Sequence, residues 1–205
     1  DDMSFTGIDI DLALNLAESL NVELIFIKTS WPTLMNDLAA GLFDIAMSGV
    51  SIIPARQQHA YFSAPYHVGG KSPITLCSRV AEFSSIEEID QPSVSAIVNP
   101  GGTNERFIDA KLRRAKKILH QDNRTIFNEI INGNADLMIT DSIEVRLQTN
   151  LHPELCESMP GKTLTYQEKG YMMPKDPALR LAVNQWLQEA NSQKILKRTF
   201  EQHLN

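Results

Sequence analysis

The sequence predicts an α/β protein with mostly parallel sheets, and two observations carry the prediction. Short runs rich in Val, Ile and Leu alternate with segments whose apolar residues recur every three or four positions. That is the pattern of buried strands alternating with amphipathic helices. Two stretches also share one plan: "LMNDLAAGLFDIAMSG" and "IFNEIINGNADLMITD" each run amphipathic helix, glycine, buried strand, polar end. The repeat points to two related lobes. Open α/β sheets place small-molecule sites beyond the carboxyl ends of their strands, which here are Ser48-Gly49 and Thr140-Asp141.

Each element follows from local chemistry. Ile8, Leu12, Leu16 and Leu20 fall at helical spacing, so 8–20 reads as a helix. "VELIFIK" (22–28) is β-rich and reads as a strand. A short helix follows over 32–40, with Gly41 as its C-cap residue. "FDIAMSG" reads as a buried strand, and "IPARQQHAY" as a short helix with proline near its start. "SPITLCS" (72–78) is a predicted strand, and "SSIEEID" a short helix capped by Ser84 or Ser85. The alternation then runs strand 94–99, helix 103–114, strand 116–120, helix 124–132, strand 135–140 and helix 142–150. "GYMMP" is a further strand, followed by helices over 177–190 and 192–203.

Composition bounds the function. With 205 residues, 42% hydrophobic and 21% charged, the chain suits one large or two small globular domains. A net charge of −6 argues against a nucleic-acid partner but not against a small anion met by local positive groups. No apolar run is long enough to span a bilayer, so no membrane insertion is expected. The opening "DDMSFTGIDIDLALNLAESL" enters a helix abruptly, and the expectation is that at least one strand precedes it. Cys77 and Cys156 read most simply as two buried free thiols; a disulfide would require an oxidising compartment. Two cysteines and five scattered histidines offer no metal-ligand spacing, so no metal site is expected.

Three stretches could carry chemistry. In "MSGVSIIPARQQHAYFSAPY", Ser48, Gly49 and Ser51 place small donors at a strand end, and Arg56 follows on a short helix. A guanidinium beside hydroxyls and amides fits a carboxylate; the plainer reading is a capped helix with a solvated arginine. In "NPGGTNE", Gly101 and Gly102 precede a helix start at Thr103, where free N–H groups and the helix dipole favour an anion. It is neither a phosphate loop nor a dinucleotide fingerprint, and an ordinary turn is the plainer reading. In "ITDSIEVR", Asp141 and Glu144 share a helix face. The plainer reading is an N-cap and a first-turn acid. The sharper one is a carboxylate pair in which burial and like charge keep one proton available. Trp31, between Ser30 and Pro32, is either core or a ring-stacking residue; Lys71, in "GGKSP", is either a surface lysine or one that reaches a cleft.

With these stretches in order, the chain resembles the type II periplasmic amino-acid-binding proteins. The marks are "GIDIDLA", "DIAMSGVSIIPARQQHAYFSAPY", "GGT" and "ADLMITD". The resemblance implies two lobes around a ligand cleft, with lobe 1 built from 1–77 and 168–205 and lobe 2 from 78–167. It implies that Ser51, Arg56 and the helix start at Gly102 and Thr103 hold an α-carboxylate, and that Asp141 meets an amine. "TSWPTLMNDLAAGLFDIAMSGVSI", "KSPITLCS", "IDQPSVSAIVNPGGTNERF" and "LHPELC" further resemble the cyclohexadienyl dehydratases, secreted enzymes built on that fold. This implies a periplasmic enzyme without a cofactor, whose small-molecule partners are cyclohexadienyl carboxylates. Prephenate and L-arogenate would lose water and CO2 to give phenylpyruvate and phenylalanine. Glu144 matches that family's general acid. Lys71, Asn99 and Asn104 would lie around the ring or the second carboxylate, and Trp31 would pack on the ring. The rival expectation is a non-catalytic binding protein serving a transporter, and Glu144 discriminates the two. The sequence does not fix an oligomeric state.

Overall fold

The computed structural model describes residues 5–204. The expectation about how the chain begins falls partly on Asp1–Ser4, outside the described residues. The chain forms two compact units, one of residues 1–68 and 168–205, the other of 69–167. The expected crossing at 77/78 therefore moves to 68/69.

In the first unit, α1 (Ile8–Leu20) buries Leu12, Ala13, Leu16 and Ala17 along one face and carries Asp9 and Asp11 in its first turn. The helix α2 (Leu34–Ala39) ends at Ala40. Gly41, the expected cap residue, lies one place beyond Ala40 and has φ 69°. Its N–H donates to the Leu38 carbonyl, and the Leu42 N–H donates to that of Asp37. This is a Schellman closure, which needs the left-handed conformation glycine supplies. Next come α3 (Pro54–Gln57), with Pro54 in its first turn, then β1 (Tyr61–Phe62) and β2 (His67–Gly69).

The second unit begins with β3 (Lys71–Leu76), a 3-10 turn (Cys77–Glu82) and α4 (Ile86–Ile89). Ser85 caps α4, accepting from the Glu88 N–H at 3.2 Å, while Ser84 N–H donates to the Glu88 carboxylate. There follow β4 (Ser95–Val98), α5 (Thr103–Lys111), β5 (Lys116–Leu119), α6 (Ile126–Ile131), β6 (Leu137–Asp141), α7 (Ser142–Leu151) and β7 (Leu155–Glu157). The sheet order is β5-β4-β6-β3-β7. It is parallel from β5 to β6, but β3 runs antiparallel to both β6 and β7. The sheet is thus mixed rather than mostly parallel. Both faces are covered, as a sheet fed by crossover helices requires. Ala96, Val98, Leu137 and Ile139 pack with Phe107 and Ile108 on one side. Ile97, Ile74 and Met138 pack with Ile126, Phe127, Ile130 and Val145 on the other.

Cys77 and Cys156 are joined in a disulfide, with Cα atoms 4.8 Å apart. This overturns the reading as two free thiols. The antiparallel β3–β7 ladder, in which Thr75 faces Cys156, brings together residues 79 apart in sequence.

The chain returns through β8 (Gln167–Lys169) and β9 (Met172–Met173), then α8 (Pro177–Ser192) and α9 (Ile195–Leu204). Leu12 and Leu16 of α1 pack with Tyr171, Met173, Val183, Trp186 and Leu187. Two predicted strands of this unit are not regular. "VELIFIK" makes no strand among the described residues, and Ile25 is 69% exposed. Strand propensity alone does not supply the paired backbone that a strand requires. "FDIAMSG" is reduced to a bridge between Ala46 and Met172, and a second bridge joins Ser51 to Lys169. The register slips by two residues between these bridges. Gly49, at φ 61°, turns the backbone out of the ladder there, in the manner of a bulge.

Candidate functional site

In the second unit the β3–β6 register sets Lys71 directly opposite Asp141, and α5 begins beside them. The Lys71 side chain is fully buried. Its ammonium donates to Asp141 Oδ1 at 2.7 Å, to Thr103 Oγ1 at 3.0 Å and to Asn104 Oδ1. A buried ammonium requires such partners. The surface-lysine reading is therefore overturned. Asp141, read as a plain N-cap, makes no side-chain cap bond and instead pairs with Lys71.

From Asn104 the network continues to Glu144. Asn104 Nδ2 donates to Thr140 Oγ1 at 3.0 Å, and Thr140 Oγ1 donates to Glu144 Oε2. Asn123 Nδ2 donates to Glu144 Oε1 at 3.3 Å. Thr140 stands near the end of β6 and Glu144 in the first turn of α7, so the two meet where the strand passes into the helix. Glu144 as a residue is half-buried, but its carboxyl is the desolvated part. Burial is the largest influence and raises its pKa; the Asp141 charge raises it further, while the bonds from Thr140 and Asn123 and the Lys71 charge only partly oppose. The result is a carboxyl that holds its proton above the ordinary glutamate range.

Beyond the end of β4, Asn99 is buried and its side-chain oxygen has no hydrogen-bond partner among the described residues. Gly102 occupies the N-cap of α5, next to Thr103. The Gly101 N–H donates to Glu105 at 2.7 Å, so one amide of the expected anion turn is already taken.

In the first unit, Arg56 is buried, not solvated. Its Nη1 donates to the Ser51 carbonyl at 3.0 Å, and its guanidinium lies 5.6 Å from the centre of the Trp31 ring. Trp31 itself packs partly buried against the cluster that includes Leu34 and Phe62. Ser51 is buried and its hydroxyl accepts from Lys169 Nζ at 2.7 Å, while Ser48 is exposed. Gly49 does not offer the amide expected of it, because its N–H donates to Asp9 Oδ2 at 2.8 Å and to the Tyr66 hydroxyl at 3.2 Å. Tyr66 also donates to Asp9, as does Tyr171. Burial raises the Asp9 pKa despite these donors.

Sequence reasoning missed Asp9, Lys169 and Asn123. Asp9 was visible only as a first-turn acid in "GIDIDLA", and Lys169 only as part of "QEKGY". Among the described residues there is no cluster of three metal-ligating side chains, and no helix long and apolar enough to cross a membrane.

The chain belongs to the bacterial extracellular solute-binding proteins, family 3, whose model matches residues 1–205. Among its curated relatives is the cyclohexadienyl dehydratase of Pseudomonas aeruginosa, 52% identical over 200 residues, which span 98% of this chain and 75% of that one. The fold is the type II periplasmic binding protein fold. A crystal structure of an ancestral amino acid-binding protein, a precursor of cyclohexadienyl dehydratase, superposes with a TM-score of 0.91 at 31% identity, covering 98% of this chain and 87% of that one. An ancestral cyclohexadienyl dehydratase is 45% identical, with a TM-score of 0.56 and coverage of 98% and 84%.

Proposed function

We infer that this chain is a carbon–oxygen lyase that removes water and CO2 from cyclohexadienyl carboxylates, converting prephenate to phenylpyruvate and L-arogenate to L-phenylalanine. The observation that carries the reading is the Glu144 carboxyl, desolvated, fixed on both oxygens and holding its proton above the usual range. The identity to the Pseudomonas enzyme supports it.

The substrate already contains the driving force, because its product is aromatic. The barrier lies in expelling hydroxide. Glu144 donates its proton to the ring hydroxyl as the carbon–oxygen bond breaks, so water leaves. The carbon–carbon bond to the ring carboxylate breaks in the same direction. Its electron pair enters the ring, and CO2 departs. One proton is consumed for each water and CO2 released. Such acid assistance is typically worth ~10²–10⁴-fold. Positioning and fixed charge supply the remainder. In this reading Ser51 and Arg56 bind a carboxylate, with Gly102 and Thr103 assisting at the start of α5. Lys71 holds Asp141, Thr103 and Asn104 in place rather than touching substrate. Asn99, with its buried acceptor, faces the ring hydroxyl. Asp141 meets the amine of arogenate, and its charge adds to the burial that keeps Glu144 protonated. The disulfide agrees with a periplasmic location, an oxidising compartment.

The rival reading, a transporter's binding protein, draws on the overlay with the ancestral amino acid-binding protein. One experiment decides. Purified protein is mixed with prephenate at neutral pH, and phenylpyruvate is followed by its absorbance in alkali. Turnover above the spontaneous rate, lost by about 10²-fold or more in Glu144→Gln while prephenate still binds, is expected. No turnover, with tight binding of an amino acid, would establish the binder.

A further inference from the structure

Lys169 is a buried cation that the mechanism above does not use. It is fixed from both sides by backbone: Ile52 N–H donates to the Glu168 carbonyl at 2.9 Å, and Gly170 N–H to that of Val50 at 3.1 Å. Lys169 is thereby set opposite Ser51, and its Nζ donates to the Ser51 hydroxyl oxygen. Arg56 binds the carbonyl of the same serine. A serine hydroxyl has one proton and two lone pairs. The ammonium occupies a lone pair, so the proton must point away from it. No described residue accepts that proton, although Ser51 is 97% buried by its 3% exposure. A buried O–H without an acceptor is costly unless something else supplies one. With Lys169 on one atom of the residue and Arg56 on another, the missing acceptor is an anion.

We propose that Lys169 is a positioning residue that fixes the Ser51 hydroxyl as a hydrogen-bond donor to the carboxylate of the bound ligand. The proposal rests on the carboxylate reading of Ser51 and Arg56. Without the ammonium, the hydroxyl is free to rotate and to accept instead of donate, so the ligand loses both a fixed donor and a nearby positive charge.

The test is a double-mutant cycle on ligand affinity, run in the Glu144→Gln protein so that prephenate is not consumed. Dissociation constants are measured by titration calorimetry for that protein and for it carrying Ser51→Ala, Lys169→Met, or both. A hydrogen bond to a charged group sets the scale: each single change weakens binding by about tenfold or more. Because both act through one bond, the double variant binds within about threefold of the weaker single. An affinity for Lys169→Met within about twofold of the parent, or losses that multiply, would overturn the proposal. Melting curves accompany the titrations, and if Lys169→Met does not fold, Lys169→Ala, which also removes the donor, replaces it in the cycle. If prephenate fails to bind the parent, the dehydratase reading fails, and the same cycle with L-arginine, whose α-carboxylate presents the same anion, decides the role of Lys169. Binding of neither ligand removes the carboxylate subsite and the proposal with it.

Discussion

Asp141, the last residue of β6, and Glu144, in the first turn of α7, lie three residues apart and yet meet opposite surroundings. Asp141 faces a buried ammonium; Glu144 faces a hydroxyl, a side-chain amide and little water. Two environments for two neighbouring acids allow one to stay charged while the other keeps a proton. A carboxyl whose folded pKa is raised remains the acid at low pH and is lost as a proton donor when pH rises through that pKa. Turnover at saturating prephenate therefore falls on the alkaline side of the Glu144 titration. The kcat–pH profile of the parent shows this limb, and the residual rate of Glu144→Gln does not. Lys71→Met leaves Asp141 without its ammonium inside the protein, and Lys71 has no exposed surface at all. Breaking such a pair costs about 3 kcal/mol, which denaturant titration of the variant reads directly. Removal of the Lys71 charge also removes an influence that lowers the Glu144 pKa. The alkaline limb of Lys71→Met, where activity survives, moves upward.

At the scale of elements, the helices were legible because their signals are local. The period of Ile8, Leu12, Leu16 and Leu20, the serine before α4 and the proline opening α3 each act within a few residues. Strands were less legible, because a strand exists only through its partner. "VELIFIK" has the composition of a strand without the pairing, whereas β7, only three residues long, and β8, wholly polar, carry no strand pattern and are paired strands. The start of β3 has a similar dependence on distant chain. A Cβ placed on Gly70 would lie 1.8 Å from the Thr165 carbonyl oxygen and 2.7 Å from Thr163 Cβ. Those contacts involve backbone, which cannot swing aside. Gly70→Ala therefore destabilises by about 3 kcal/mol, the upper end for overpacking, seen as a lowered denaturant midpoint. It also displaces Lys71, the next residue, so turnover falls along with stability.

For the whole molecule, the disulfide closes a loop of 79 residues within the second unit. The chain-entropy model assigns such a loop about 4 kcal/mol of stabilisation, through restriction of the unfolded chain. Melting with and without a strong thiol reductant checks this: the reduced protein unfolds at lower temperature. An unchanged melting temperature on verified reduction would refute the assigned contribution. The mixed sheet has the same origin as the disulfide. Once β3 runs antiparallel to both β6 and β7, it brings Lys71 to Asp141 and Cys77 to Cys156.

By itself the sequence determined the α/β class, the order of the helices and the short motifs in which a donor and its neighbours lie within one turn. It presented Ser51 with Arg56, Thr103 with Asn104, and Asp141 with Glu144, because those pairs are local. Only the tertiary structure decided what each group does. It buried Arg56, gave the Gly49 amide to Asp9, placed Lys169 on Ser51 across 118 residues and drew Lys71 inward across 70 residues to Asp141. The physical reason is that protonation state and donor direction depend on desolvation and on partners in space, and neither is a property of neighbouring residues in the chain.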